Sequence, residues 1–354
     1  MGMIMMKKST RKVNVGGIVI GGGAPVTVQS MTNTDTRDIS STCDQISRLT
    51  DVGCDIIRLA IVDMEAAEAV KEIRKRCLVP LVADIHFDYR LALECIENGI
   101  DKIRINPGNI GGEERIAKVV GAAKERNIPI RIGINSGSIE KDILFEYGKP
   151  CAQAMVQSAK RHIDLLLNHN FEDIIVSLKA SDVPMTIESY RLIAGMYDFP
   201  LHLGVTEAGT LHSGIIKSSV GIGTLLAEGI GDTIRVSLTG DPVDEVIAGR
   251  KILSSLNLLK ENVNIISCPT CGRCRVNIID IASELERKVS RIKKNITVAI
   301  MGCAVNGPGE ACEADIGIAG GENEYLLFEK GMIVGKIPAE NILDVLMDKI
   351  KNNF

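Results

Sequence analysis

The sequence predicts an α/β barrel followed by a smaller α+β domain, and three observations carry that expectation. Between residues 26 and 260, eight short β-rich runs alternate with eight segments of helical period. No Gly-rich dinucleotide loop follows the first run, which argues against the competing open, doubly wound sheet. After about residue 261 the alternation stops and a cysteine-rich segment begins. The expected organisation is a (β/α)8 TIM-like barrel over residues 1–260 and an α+β domain over 261–354, with the cysteines on the loops of the second.

The strand candidates are VTVQSM (26–31), DIIRLA (55–60), LVADIH (81–86), KIRIN (102–106), IRIGIN (130–135), IIVSLK (174–179), LHLGVTE (201–207) and TIRVSL (233–238). Nearly continuous apolar character suits strands covered by helices on their outer side. The helix candidates fall near 38–52, 64–77, 88–99, 111–126, 149–170, 186–197, 213–228 and 243–260. In the fourth, Ile116, Val119, Val120 and Ala123 share one face with charges opposite. Beyond the cysteines come a charged helix, IDIASELERKVSRIKK, and strands TVAIMG and ADIGIAG. A hairpin YLLFEKGMIVGKI turning at Lys330 and Gly331 follows, then a closing helix, ENILDVLMDKIKN.

Composition narrows the function classes. A chain of 354 residues with 45% hydrophobic content can build two cores. The N-terminal MGMIMMKKSTRK has few apolar residues before its basic run, no stretch approaches the ~20 apolar residues of a membrane span, and Gly2 lacks the Ser or Thr a myristoylation signal needs. The expectation is a soluble cytoplasmic protein that does not engage membranes. Ten cysteines then point to a reducing compartment, with Cys43, Cys54, Cys77, Cys95 and Cys151 serving as small packed hydrophobes. A net charge of −4 and the absence of Trp leave no basic stripe or stacking platform for nucleic acid.

Active sites of such barrels lie at the C-terminal strand ends. There the sequence gathers Arg58, Arg104, Arg131, Lys179 and Arg235, with Asn33, Asp84, His86, Asn106, Asn135, Ser181, Thr206, Glu207 and Ser237 as polar companions. One cation alone would be expected to pair with a carboxylate or reach solvent. Five on different strands of an acidic chain suit a multiply charged anion, most simply a diphosphate, whose oxygens match the planar guanidinium fork. Glu207, an acid among cations, is a candidate proton donor or a structural salt-bridge partner. His86 lies beside Asp84 in ADIHFDYR, whereas His162, His169 and His212 carry no assigned role. A non-redox alternative makes Lys179 a Schiff-base amine.

The segment SCPTCGRC holds Cys268, Cys271 and Cys274, and MGCAVNGPGEAC holds Cys303, Glu310 and Cys312. A zinc ribbon would need a second Cys-x-x-Cys pair, which Cys303 does not supply. A ferredoxin-like cluster would use the first three cysteines with Cys303 or Cys312. A third ligand set is Cys268, Cys271, Cys303 and Glu310.

Motifs along nearly the whole chain bear on that choice. VQSMTNTDTRD, VADIHFDYR, RINPGNIG, SLKASD, LGVTEAG, EGIGDTIRVSL, DPVDEV, SCPTCGR and MGCAVNGPGEA occur in the order found in bacterial 4-hydroxy-3-methylbut-2-en-1-yl diphosphate synthases, and the chain resembles that family. The resemblance implies a [4Fe–4S] cluster on Cys268, Cys271, Cys303 and Glu310, with Cys274 and Cys312 departing from the family pattern. It further implies two-electron reductive ring opening of 2-C-methyl-D-erythritol 2,4-cyclodiphosphate, with flavodoxin or ferredoxin as donor, in a homodimer. On that reading Arg58, Arg104, Asn106, Arg131, Asn135, Lys179, Thr206, Arg235 and Ser237, with Asp84 and His86, hold substrate. Glu207 delivers a proton, and Glu310 is a cluster ligand weak enough to yield to a substrate oxygen.

Overall fold

The computed structural model describes residues 9–352 apart from 260–262, 275, 290, 291, 293, 304–308, 310–312, 322 and 323. The chain forms two compact units, one ending at Leu258 and the other starting at Leu259.

The first unit opens with an antiparallel hairpin, β1 (Val13–Val15) and β2 (Ile18–Ile20). The expected parallel strands follow: β3 (Thr27–Met31), β4 (Ile56–Ala60), β5 (Leu81–Asp84), β6 (Lys102–Ile105), β7 (Ile130–Asn135), β8 (Ile174–Lys179), β9 (His202–Leu203) and β10 (Thr233–Ile234). They pair in the order β8-β7-β6-β5-β4-β3-β10-β9, and a parallel bridge between Val176 and Leu201 links the two ends of that order into a barrel. The last two strands are much shorter than the sequence suggests. Beyond Leu203, Arg235 N still bonds Leu203 O at 2.9 Å, but Thr206 N turns to Ala180 O at 3.2 Å, so the ladder gives way to mouth loops.

The strands alternate with helices α1 (Ile39–Asp51), α2 (Met64–Arg76), α3 (Tyr89–Glu97), α4 (Pro107–Ile110), α5 (Glu113–Glu125), α6 (Lys141–Tyr147), α7 (Ala152–Asn168), α8 (Val183–Met196), α9 (Leu211–Ala227) and α10 (Pro242–Ser255). Aspartates start many of them: Asp38, Asp63, Asp88, Asp182 and Asp241 each accept a backbone N–H of the first turn. Such caps satisfy donors that otherwise have no intrahelical partner. Ile116, Val119, Val120 and Ala123 are buried on α5, as the periodicity predicts. Short α4 and α6 were not anticipated; α4 begins where Asn106 caps the Gly108 N–H. Cys54, Cys77 and Cys95 are buried, while Cys43 and Cys151 are half-buried.

In the second unit β11 (Val263–Ser267), β12 (Ile296–Met301) and β13 (Ile316–Gly320) run parallel, and β14 (Glu324–Glu329) and β15 (Met332–Pro338) continue the sheet antiparallel. Helices α11 (Ile278–Val289) and α12 (Ile342–Asn352) cover one face, burying Leu285, Val289, Leu346 and Ile350 against Val298, Ile300 and Ile318. The hairpin turns at Lys330 and Gly331, whose φ values of 47° and 78° match the tight two-residue turn that fits the twist of paired strands. Strand β11 was not expected. No described helix is long and apolar enough to cross a membrane.

Candidate active site

Residues two apart on a strand share a face, so each strand can change character along the barrel axis. At the N-terminal end, Val13, Val15 and Ile20 of the hairpin pack on Ile56, Val82 and Ile175. Two residues further along the same strands stand Arg58, Asp84 and Ser177, and Lys179 follows on β8. Barrel interiors are usually filled in layers by branched apolar side chains. Here that filling stops above the plug and charged groups replace it.

Asp84, 5% exposed, organises one side. Its carboxylate lies 3.1 Å from Arg104 Nη1, 3.7 Å from Arg58 Nε and 3.5 Å from His86 Nε2. Burial alone would raise its pKa, but Arg58, then His86 and Arg104, hold it well below the usual carboxylate range. Arg104 Nη2 also donates to Gly133 O at 3.2 Å, and a Cβ on Gly133 would sit 2.3 Å from Arg104 Nε. Glycine therefore makes room for the guanidinium. On the other side Glu245 of α10, 4% exposed, lies 3.4 Å from Arg235 Nε and accepts from Ser30 Oγ and Leu238 N, each at 3.0 Å.

The bland expectation of internal pairing thus holds for Arg58, Arg104 and Arg235, which share two carboxylates. It does not hold for the rest. Arg131, 1% exposed, donates from Nη1 to Ser177 Oγ at 3.2 Å, while its Nε and Nη2 have no hydrogen-bond partner. Lys179, 7% exposed, makes no ion pair or hydrogen bond among the described residues, and its Nζ packs where a Cβ on Gly204 would come within 2.7 Å. Burial, then Arg58 and Arg104, pushes the Arg131 pKa well below its ordinary value; burial, then Arg131, Arg235, Arg58 and Arg104, does the same to Lys179. Arg58 is lowered to about 10, chiefly by burial.

Neutral partners line the β6 and β7 ends. Buried Asn106 accepts from Gly108 N at 3.2 Å and donates to Ser138 Oγ at 3.4 Å, and Ser138 Oγ in turn accepts from Asn135 N at 3.2 Å. Asn135, Thr206 and Ser237 are half-buried, and His86, Ser181 and Glu207 are exposed. Glu207 has φ 51°, a left-handed conformation costly for a side chain of this size and frequent at functional sites. Among the described residues it makes no ion pair, so its structural salt-bridge role finds no support. Asn33 bonds Gln45 through both its backbone N–H and its side chain and belongs to the wall.

Sequence reading missed several inner groups. Lys102, fully buried, donates to Gln29 Oε1 at 3.2 Å, and His202, also fully buried, has its Nδ1 3.4 Å from Thr233 Oγ1. Both stand at strand positions of the inner face, two residues before Arg104 and Gly204, and that period of two was the available signal. Glu245 gave none, because a helix turn ten residues from Arg235 brings it back. His162, assigned no role, is buried on α7 with Nε2 2.9 Å from Glu140 Oε1.

In the second unit Cys268 follows β11 and Cys303 follows β12, the adjacent parallel strand. Cys268 N bonds Ile300 O at 3.2 Å, and Cys268 Sγ accepts from Gly302 N at 3.2 Å. Cys271 is exposed, and the Arg273 backbone N–H bonding its sulfur lowers the thiol pKa. Cys274 instead turns its thiol to Val276 O at 3.1 Å. Glu310 and Cys312 lie outside the described residues. Among those described, no three His, Cys, Asp or Glu side chains converge closely enough to hold a metal ion. The donors present nevertheless suit iron: two sulfurs follow neighbouring strand ends, one already accepts a backbone N–H, and a third is biased toward thiolate.

Comparison with known proteins agrees with this architecture. Residues 10–250 match the GcpE TIM-barrel domain, and residues 264–352 match the GcpE protein C-terminal domain. The 4-hydroxy-3-methylbut-2-en-1-yl diphosphate synthase (flavodoxin) of Ruminiclostridium cellulolyticum is 62% identical over 97% of this chain and 98% of its own. The like-named protein of Caldanaerobacter subterraneus subsp. tengcongensis is 60% identical over 99% of this chain and 98% of its own. Among solved structures, the dihydropteroate synthase of Xanthomonas albilineans shares the barrel fold, with TM-score 0.50 and 11% identity over 70% of this chain and 97% of that one. Matched through both domains, the chain belongs to the GcpE family, that of the 4-hydroxy-3-methylbut-2-en-1-yl diphosphate synthases.

Proposed function

We propose that the barrel mouth grips the cyclic diphosphate of 2-C-methyl-D-erythritol 2,4-cyclodiphosphate while the second unit delivers the electrons that open its ring, giving 4-hydroxy-3-methylbut-2-enyl diphosphate and water. The observation that carries this reading is the excess of buried cations over carboxylates. Arg131 and Lys179 are buried without a carboxylate partner, and either one held as a cation would cost several kcal/mol unless a ligand supplied the opposite charge.

Each side chain then has a task. Arg58, Arg104, Arg131, Lys179 and Arg235 bind phosphate oxygens, each charge-assisted bond contributing ~1.5–3 kcal/mol. Asp84 fixes the orientation of Arg58 and Arg104, and Glu245 that of Arg235, so the guanidinium forks are set before substrate arrives. Asn106, Asn135, Thr206 and Ser237, with His86, orient the carbon skeleton. The apolar hairpin excludes water from below. Glu207, held on the rim in a strained conformation, delivers a proton to the substrate.

Cys268, Cys271, Cys303 and Glu310 would hold a [4Fe–4S] cluster, which supplies single electrons and a Lewis-acidic iron. Flavodoxin or ferredoxin supplies those electrons in turn, and the protein works in the cytoplasm as a homodimer. The test is anaerobic iron and sulfide analysis with spectra before and after addition of the cyclic diphosphate. About four irons and four sulfides, with a spectral change on addition, support the reading; zinc without iron removes it. Glu310→Ala suppresses turnover and Cys274→Ala leaves it largely intact, whereas the opposite pattern would restore the Cys268, Cys271 and Cys274 ligand set.

A further inference from the structure

We infer that Lys179 is where the barrel takes up a proton as its anion binds: the amine is uncharged in the ligand-free mouth and becomes an ammonium only beneath the bound cyclic diphosphate. The inference rests on the anion-binding reading above and adds to it a change of charge on a named atom.

Only some of the groups at the mouth can change charge. Guanidinium groups do not release protons under ordinary conditions. Arg58, Arg104, Arg131 and Arg235 therefore keep their charges whether or not ligand is present. Four fixed positive charges around one buried amine disfavour its charged form, and of these five cations the amine is the one able to discharge. Lys179 supplies that amine from β8. Its neighbours by electrostatic influence are those same four arginines, from β4, β6, β7 and the segment that follows β10.

An ammonium has three donors and needs acceptors. Lys179 has none among the described residues, and the two nearby carboxylates are engaged elsewhere, Asp84 with Arg58, Arg104 and His86, and Glu245 with Arg235. His202 on adjacent β9 is itself fully buried and offers no negative charge. Gly204 leaves only enough room for the amine to lie against the backbone, where a Cβ would come within 2.7 Å of Nζ. A charged form here would be both unsolvated and surrounded by like charge, and burial followed by the arginines shifts the group in the matching direction. Lys102 differs: it stands on β6 two residues before Arg104, and its amine already has Gln29 Oε1 at 3.2 Å.

Binding reverses the balance. A bound phosphate oxygen supplies the missing acceptor and neutralises the surrounding field, so the amine recovers its proton from solvent. The cyclic diphosphate is a suitable probe because each phosphorus carries one ester and one anhydride bond, which leaves a single, strongly acidic ionisable oxygen on each. These oxygens stay ionised at neutral and alkaline pH, so protons taken up on binding belong to the protein.

The experiment is calorimetric titration of oxidised, cluster-loaded enzyme with 2-C-methyl-D-erythritol 2,4-cyclodiphosphate, without reductant, in buffers of different ionisation enthalpy at about pH 8. The expected result is uptake of about one proton per site, with affinity falling about tenfold per pH unit through the range where free Lys179 is uncharged. Lys179→Arg, whose charge is permanent, is expected to bind with little uptake and a flattened pH dependence. Lys102→Met is expected to retain the uptake. Binding by the wild type without proton uptake would overturn the inference while leaving the anion-binding reading in place. Uptake that survives in Lys179→Arg but vanishes in Lys102→Met would move the role to Lys102 and overturn it too. Should Lys179→Arg not fold, the wild-type pH series and Lys102→Met still decide. No binding at all would overturn both readings.

Discussion

The two ends of the barrel are made from the same strands and have opposite chemistry. At the N-terminal end β4, β5 and β8 contribute Ile56, Val82 and Ile175, sealed by the hairpin; two residues on, they contribute Arg58, Asp84 and Ser177. One pleat separates a dry apolar layer from a network of buried charge. Stability explains the first layer, since burying an aliphatic side chain returns ~1.5–3 kcal/mol. It does not explain the second, because buried ion pairs are often no more stable than the apolar residues that could replace them. The difference teaches that the mouth is maintained at a cost to the ligand-free fold, and substitutions at the two ends should separate stability from activity.

The plug should show the largest effect. Ile175→Ala removes a fully buried side chain from the sealed layer and is expected to lower unfolding free energy by ~2–5 kcal/mol, measured by denaturant titration. Turnover per folded molecule should stay close to wild type. A loss of kcat/KM as large as the loss of stability would break the distinction between the two ends.

Arg131→Met should give the reverse pattern. The guanidinium is fully buried with two nitrogens unpaired, and Met is an apolar replacement of comparable length. Loss of its bonds to the anion is expected to cost about 2–3 kcal/mol in transition-state binding, roughly 30- to 150-fold in kcat/KM. The melting temperature should not fall. A large drop in stability would make Arg131 a structural residue and remove one of the two cations on which the anion reading stands.

Lys179→Met sharpens the point with a smaller change of stability in the opposite direction. The folded pKa of Lys179 lies below its unfolded value, so between the two the unfolded chain binds the proton more readily. The lysine therefore destabilises the ligand-free fold at neutral pH, a penalty that shrinks as pH rises and is absent above the unfolded pKa. Met should raise ligand-free stability at pH 7 by about 1–2 kcal/mol, with the gain fading toward pH 10, while weakening substrate binding.

How far the sequence discloses this layout varies by element. The eight strands were legible because apolar runs and helical segments alternate with little interruption. Strands β9 and β10 are shorter than their sequence suggests because Thr206, Glu207 and Ser237 continue an apparently extended run, although their backbone has already left the ladder for the mouth. The hairpin plug leaves only a faint sequence signal, a Gly-Gly turn where φ of 55° at Gly16 and 92° at Gly17 joins two short apolar strands. Arginines at strand ends were legible in the sequence. Their carboxylate partners were not, since Glu245 reaches Arg235 from a helix and pairing across elements leaves no periodic trace. The shape of the cysteine loop was equally hidden, because spacing names donors without placing them.

A smaller effect probes how the wall supports the mouth. His162 and Glu140 lie behind the Asn106 and Asn135 ends of β6 and β7, and a Cβ on Gly108 would come within 3.1 Å of His162 Cε1. The short α4 turn that carries Asn106 thus rests on the imidazole. Burial would raise the Glu140 pKa, but the neighbouring His162 and Ser158 side chains lower it to about 2 from its ordinary 4.5. A depressed carboxylate stabilises the fold above its unfolded pKa, and that contribution disappears as pH falls from about 4.5 toward 2. His162→Gln should cost about 1 kcal/mol at pH 7 and reduce the acid-induced loss of stability across that window. If the pair also sets the position of Asn106, KM for the cyclic diphosphate should rise a few-fold while kcat changes little. An unchanged KM would confine His162 and Glu140 to the wall and leave Asn106 positioned by its own cap on Gly108 and its bond to Ser138.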